Sequence, residues 1–176
     1  KYPEKMSIAQ KMIDEYIKFK DDTKGLHLVS NKNFDFGTLK DTTESKYRSR
    51  VVLNELNDTM SIEDKIKYLH DYIANRTKYD SEKADYDRSN YDSDRIHGVL
   101  YDGYAICSGY ADTMEVFLTK LGIPNYKIAS DNHVWNAVYL DGKAYLCDLT
   151  WDANSMKLDK LGKNFLKSYE EFYKSH

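Results

Sequence analysis

Residues 103–111 read GYAICSGYA and introduce the strongest helical pattern in the chain. From Cys107 to Leu121, apolar residues recur every three or four positions, which is typical of a helix with one buried face. Gly122 then stands where a left-handed cap belongs, and Pro124 prevents continuation of the helix. The sequence therefore predicts a helix that begins at Cys107 and carries small residues on both sides of the thiol.

The position of Cys107 predicts a reactive thiol. Unpaired N–H groups and the positive end of the dipole at a helix N-terminus both favour the thiolate. A lone cysteine is more often a buried core residue, however. The helix alone therefore leaves a nucleophile and a structural cysteine open as alternatives.

A predicted hairpin supplies two partners for this thiol. β-rich runs cover 126–129 and 133–140, and Asp141-Gly142 is typical of a two-residue turn into a returning strand at 143–150. Pairing across that turn places four side chains on one face. These are His133, Trp135, Asp148 and Thr150.

His133 and Asp148 are diagonal neighbours in this register, about 7–8 Å apart at the backbone. A carboxylate that accepts a hydrogen bond from one imidazole nitrogen leaves the other nitrogen free as a base. The same register turns Cys147 to the opposite face, which predicts a core residue and disfavours a Cys107–Cys147 disulfide.

The rest of the chain predicts helices and one acidic loop. We expect helices at 6–17 and 44–56, a helix after the N-cap Ser61, and a last helix at 164–174. The inner residues predicted for the second and third helices are Tyr47, Val51 and Leu56, then Ile62, Ile66, Leu69, His70 and Ile73. Residues 80–95 predict an exposed acidic loop, either a solvated connection or a substrate gate. Helices followed by antiparallel strands indicate an α+β fold.

Composition excludes several classes of function. The 176 residues carry a net charge of −3, which gives no electrostatic basis for nucleic-acid binding. No apolar run approaches the roughly 20 residues of a membrane span. Neither CxxC nor HExxH occurs, and 80–95 lacks an EF-hand pattern, so we expect no metal. The chain opens at Lys1 rather than Met, which predicts that it begins mid-protein.

Three motifs, in order, resemble the bacterial transglutaminase-like superfamily. Residues 103–111 resemble its nucleophile segment, 133–138 (HVWNAV) its histidine strand, and 141–143 with 147–152 (CDLTWD) its aspartate strand. His133 follows Cys107 by 26 residues and Asp148 follows His133 by 15, as in that family. The resemblance is dense over 96–152, whereas the first sixty residues have no counterpart. One departure is Leu149, where many relatives carry proline.

The resemblance implies a papain-like α+β core, with the nucleophile helix packed on an antiparallel sheet. It divides the chain into a helical N-terminal extension, 1–60, and a catalytic domain, 61–176. It implies a triad of Cys107 as nucleophile, His133 as base and then acid, and Asp148 as the group that orients His133, with no cofactor. Trp135 and Tyr79 are predicted to contact substrate. Trp135 would wall the acyl site, although it suits the core equally well, and Tyr79 or a residue of the acidic loop would donate to the oxyanion beside the backbone N–H of Cys107.

The function implied is cysteine-dependent acyl transfer on peptide or glutamine amides, ending in either transamidation or hydrolysis. The implied partner is a protein or peptide substrate. The implied location is extracellular or at the cell surface, within a larger surface protein. The alternative is a non-catalytic cell-surface binding module that retains the fold; intact Cys, His and Asp residues argue against it.

Overall fold

The computed structural model describes residues 27–29, 43–155 and 163–176. The helix predicted at 6–17 lies outside these residues. The described helices are α1 (Thr43–Leu53), α2 (Ile62–Arg76), α3 (Ser81–Tyr86), α4 (Cys107–Lys120), α5 (Leu149–Ser155) and α6 (Tyr169–Phe172), with a π-helical turn at Gly98–Asp102. The strands are β1 (His27–Val29), β2 (Lys78–Tyr79), β3 (Tyr104–Ala105), β4 (Asn125–Ala129), β5 (Val134–Leu140) and β6 (Lys143–Cys147).

The strands form an antiparallel sheet, in the order β1-β4-β5-β6, and a separate parallel ladder of β2 with β3. In the hairpin, Leu140 pairs with Lys143 and Asn136 with Cys147, which confirms the predicted register. Asp141 and Gly142 have φ values of +50° and +81°, as a two-residue turn with two left-handed positions requires.

Each face of this sheet packs against a helix. On one side, α2 and α4 enclose a core that includes Leu69, Phe117 and Val138. On the other side, α6 covers a second cluster around Trp135. The side-chain amide of Asn136 donates to the carbonyl oxygen of Ala111 over 2.9 Å, which ties β5 to the second turn of α4.

The strand predicted at 143–150 ends early. β6 stops at Cys147, and Thr150 lies in α5 rather than on the sheet, so its predicted place on the hairpin face was wrong. The cause is local capping. Oδ1 of Asp148 accepts a hydrogen bond from the backbone N–H of Trp151, as an N-cap side chain does, and this turns the chain into a helix.

The helix after Ser61 is confirmed, and its capping oxygen accepts from the N–H of Asp64. Its predicted inner face is buried except at Ile62, which is 55% exposed at the first helical position. For α1 the predicted face was wrong at Tyr47 and Val51, which are exposed, whereas the neighbouring Val52 is buried. The third predicted residue, Leu56, lies just beyond α1 and packs against the core. Val52 joins the same core as α2 and α4, while the domain boundary at residue 60 stays a prediction.

The last helix is shorter than predicted, and the acidic segment is more ordered. Residues before Ser168 pair with the sheet, since Lys167 exchanges two backbone hydrogen bonds with Leu146. Leu166 has a φ of +48°, which excludes a helix there, and Ser168 caps the short α6. Within 80–95 nearly all residues are exposed, as predicted, but Asp80 and Ser93 are buried, and the helix α3 replaces the first part of the predicted loop.

Candidate active site

The first turn of α4 presents Cys107 at the helix N-terminus, with the side chain half-buried. The acidic segment holds this end in place, because the N–H of Ile106 donates to the carbonyl oxygen of Ser93 over 2.9 Å. A Cβ on Gly109 would collide with that same carbonyl oxygen, so glycine permits the close approach. The first N–H groups of a helix have no intrahelical acceptor, which leaves such donors beside the thiol.

His133 joins the thiol to a carboxylate. Its Nε2 lies 2.6 Å from Oδ2 of Asp148. Cys107 lies within hydrogen-bonding reach of the same imidazole, and Nδ1 is the nitrogen left for it. Trp135 and Trp151 flank the ring, with centroids 5.6 and 5.8 Å away. The structure thus brings together the three predicted triad residues, Cys107, His133 and Asp148.

Asp148 is fully buried and is fixed through both its backbone and its side chain. Its N–H donates to the carbonyl oxygen of Asn164 over 2.9 Å, and its own carbonyl accepts from the N–H of Asp152 over 3.1 Å. Since Trp151 N–H binds Oδ1, the remaining oxygen, Oδ2, is directed at His133.

A second buried pair supports this region and was not anticipated from the sequence. Nε2 of His70, on α2, lies 2.6 Å from Oδ2 of Asp152, and its Nδ1 lies 2.9 Å from Asp71. Oδ1 of Asp152 accepts from the backbone and side chain of Asn164. This network links α2, α5 and the segment that binds the Asp148 backbone. The one available signal was a histidine on the predicted inner face of α2.

The contacts within the triad stabilise a positive charge on His133 and a negative charge on Asp148. Burial alone would lower the pKa of His133, but hydrogen bonds to Asp148 and Cys107 outweigh burial and raise that pKa to about 9. Burial would raise the pKa of Asp148, but hydrogen bonds from His133 and His176 outweigh it and hold that pKa below its usual value. An imidazolium beside a carboxylate is thus the favoured state at neutral pH.

Comparison with known proteins identifies the family and the fold of the chain. The family model of the transglutaminase-like superfamily matches residues 45–147. The chain belongs to the transglutaminase-like superfamily. A crystal structure of a TGase is similar to this chain, with a TM-score of 0.50 and 24% sequence identity. The superposition covers 78% of this chain and 37% of the TGase chain. The α+β transglutaminase-like fold is thereby confirmed.

Two further proteins are similar to this transglutaminase-like chain. Kyphoscoliosis peptidase of Mus musculus is 28% identical over 155 residues. The match covers 76% of this chain and 23% of the mouse protein, so the chain spans about a quarter of that relative's length. A crystal structure of a candidate cysteine protease from Cytophaga hutchinsonii is 17% identical, with 69% and 43% coverage and a TM-score of 0.49.

The two predicted substrate contacts have different surroundings in the transglutaminase-like core. Tyr79 pairs with Ala105 in the β2–β3 ladder, close enough to Cys107 that burial and the thiolate charge together raise its pKa. Trp135 is 2% exposed and packs against Phe172 at 5.4 Å between centroids, an arrangement that favours the core role. Substrate contact by either residue stays a prediction.

One group of side chains in the described residues has metal-ligand chemistry. Atoms of His133, Asp148 and His176 lie within 4.8 Å of one another. Both imidazole Nε2 atoms are at hydrogen-bond distance from one carboxylate oxygen, at 2.6 and 2.8 Å, which leaves no room for an ion with ligand distances of about 2 Å between them.

Within the described residues no helix is long and apolar enough to cross a membrane.

The two cysteines of this transglutaminase-like chain should differ in reactivity. Cys147 is fully buried, and burial raises its pKa to about 12. At neutral pH we expect iodoacetamide to label Cys107 about 10³-fold faster, because only a thiolate attacks and Cys147 almost never ionises. Mass spectrometry of peptides after brief exposure measures the ratio.

The control for this labelling is the Cys107→Ser variant, in which early labelling should disappear. Equal labelling of both cysteines in the folded protein, or faster labelling of Cys147, contradicts the assignment of Cys107 as the reactive thiol.

Proposed function

We propose that this chain is a cysteine-dependent acyl transferase that acts on peptide or glutamine amides through a thioester. The observation that carries the proposal is the single imidazole of His133 placed between the thiol of Cys107 and the buried carboxylate of Asp148. A nucleophile, a base and an orienting group in contact are the requirements for covalent acyl transfer.

In the first half-reaction, the thiolate of Cys107 attacks the carbonyl carbon of the amide. The new S–C bond converts the carbonyl oxygen into an oxyanion, which backbone N–H groups at the start of α4 can stabilise. The imidazolium of His133 then gives its proton to the amide nitrogen, the C–N bond breaks, and an amine or ammonia leaves. The product is a thioester on Cys107 and a neutral His133.

In the second half-reaction, neutral His133 removes a proton from the acceptor, which attacks the thioester carbonyl. The S–C bond breaks and returns the thiolate, while the proton remains on His133. A water acceptor gives hydrolysis and a primary amine gives transamidation. The same three side chains perform both reactions, so the acceptor depends on what reaches the thioester.

A cleft that includes Tyr79, whose hydroxyl senses the charge on Cys107, offers the substrate an approach. It has a volume of about 480 Å³ and runs between β2, α3 and the middle of the acidic segment. Tyr79, Tyr91 and Tyr104 supply aromatic walls, and the rings of Tyr91 and Tyr104 stack 4.4 Å apart. Open aromatic and polar walls of this kind suit an extended peptide.

The deciding experiment incubates the protein with a glutamine-rich protein, with and without a fluorescent primary amine. Dye incorporation that disappears in Cys107→Ala identifies a transglutaminase. Ammonia release or new peptide termini without incorporation identify a hydrolase. Binding to a protein partner that survives the substitution, with no turnover of any amide, contradicts the proposal and favours the non-catalytic binding module.

We also propose that the substrate is a protein met outside the cell or at its surface. The support for this is the resemblance of the three motifs to bacterial members that work there as modules of larger proteins. Labelling of the intact cell surface with an antibody against the chain tests the location, and a signal seen only after permeabilisation contradicts it.

A further inference from the structure

His176 contacts the triad at its carboxylate, Asp148. Its Nε2 lies 2.8 Å from Oδ2 of Asp148, the same oxygen that His133 binds at 2.6 Å. The imidazole stacks between Phe172 and Trp151, with centroids 3.7 and 3.8 Å away, and its side chain is 2% exposed. Nothing in the motifs of the sequence indicates this contact.

We propose that His176 is a positioning residue that acts through Asp148 to set the proton affinity of His133. The inference rests on the proposed function, because it concerns how the base of that reaction is tuned. It extends the three-residue arrangement to a chain of four groups: thiol, imidazole, carboxylate and second imidazole.

The hydrogen-bonding capacity of the carboxylate fixes the direction of both contacts. An ionised carboxylate only accepts, so His133 and His176 each donate an Nε2–H to Oδ2. For His133 this leaves Nδ1 to face Cys107. For His176, Nδ1 lies 3.0 Å from Oγ of Ser175, a hydroxyl that can donate or accept, and 3.2 Å from the carbonyl oxygen of Phe172, which can only accept. This nitrogen therefore has polar partners of its own, while Nε2–H points at Asp148.

When one carboxylate oxygen accepts hydrogen bonds from two donors, each of the two hydrogen bonds is weaker than it would be alone. A second N–H on Oδ2 draws electron density from the carboxylate and makes Asp148 a weaker acceptor for the proton on His133. If His176 is itself protonated, its charge opposes a second positive charge on His133, whose ring centroid is 6.3 Å away. Both states of His176 therefore favour release of the His133 proton to the leaving amine.

Few other groups can produce such an effect. The ionisable partners of His133 are Asp148, from the β6–α5 junction, and Cys107, from α4. On the α6 side the ring of His176 meets Phe172 and Ser175, which carry no charge. A change at His176 thus reaches the reaction through Asp148.

The test compares His176→Phe with His176→Gln. Phenylalanine keeps a ring between Trp151 and Phe172 but has no N–H, whereas glutamine can place an amide N–H near the position of Nε2. The readout is the rate of Cys107 alkylation against pH, whose upper inflection reports loss of the His133 proton. In His176→Phe we expect that inflection to rise by about half to one pH unit, and in His176→Gln to return towards the starting value.

Alkylation needs no amide substrate, so this test separates the inference from the proposed function. A shifted inflection in a protein that turns over no amide supports the role of His176 and contradicts the acyl transferase. Where amide turnover is found, His176→Phe should also lower kcat/KM about tenfold. An unchanged inflection in folded His176→Phe overturns the inference, because a purely structural role predicts that result.

A measurement on the unaltered protein covers the case in which His176→Phe does not fold. Long-range ¹H–¹⁵N spectra report which imidazole nitrogen carries a proton. A protonated Nε2 on His176 throughout the titration of His133 supports the inference. An unprotonated Nε2 overturns it, since such a nitrogen cannot donate to Asp148.

Discussion

Replacing Cys107 with alanine should lower the rate of amide turnover by about 10⁶-fold, to the level of the uncatalysed reaction assisted by binding alone. The reason is that the thiolate of Cys107 forms the covalent bond to the acyl group, and the second cysteine is not placed to replace it. Cys147, the other cysteine, is fully buried and faces the α4 side of the sheet. Single-turnover measurement with a labelled glutamine peptide gives the size of the loss.

Cys147→Ala is the matched control, because it removes the same group from the residue before Asp148, and the side chain of Cys147 lies in the core and does not contact His133. We expect it to retain turnover within several-fold, with a lower thermal midpoint from the lost core contact. Turnover in Cys107→Ala that stays within a hundredfold of the unaltered protein means that another residue is the nucleophile.

Replacing Asp148 with asparagine should lower kcat/KM by about 10³- to 10⁴-fold while the protein stays folded. The amide keeps the size of the carboxylate but loses the charge that stabilises the His133 imidazolium. Burial lowers the pKa of His133, but contacts with Asp148 and Cys107 outweigh burial and raise that pKa to about 9. Without the charge of Asp148, the pKa of His133 should fall. The upper limb of the pH–rate profile should therefore move to lower pH.

Asp141→Asn provides the control, since Asp141 is an exposed carboxylate in the turn of the same hairpin, with a φ of +50° that asparagine tolerates. We expect its kcat/KM to match that of the unaltered protein. A loss below tenfold in Asp148→Asn, with no movement of the upper limb, contradicts the role of Asp148 in orienting and charging His133.

The features that local chemistry determines were predictable from the sequence. The turn at Asp141-Gly142 requires two left-handed residues and so fixed the pairing of Leu140 with Lys143, from which the approach of His133 to Asp148 followed. The start of α2 followed from the capping oxygen of Ser61. Contact of Cys107 with this face was an implication of family resemblance, because nothing local determines where a helix end meets a sheet.

The errors arose where long-range contacts override local pattern. Lys167 joins the edge of the sheet beside Leu146, which competes with the helix that its neighbours favour. Val52 rather than Tyr47 faces the core because the position of α1 against other elements selects the buried side. His176 lies 28 residues beyond Asp148, and no periodicity connects two such positions.

The parallel ladder of β2 with β3 has a consequence for how this catalytic core can diversify. The N–H of Lys78 binds the carbonyl of Gly103, and that of Asp80 binds the carbonyl of Ala105, so the chain leaves the ladder and returns to it at adjacent points. An insertion into the exposed stretch between them adds little closure entropy, about 0.6 kcal/mol for each doubling of length. New walls for the cleft can therefore be acquired by lengthening residues 85–92, while Ser93 continues to hold the end of α4 that carries the thiol.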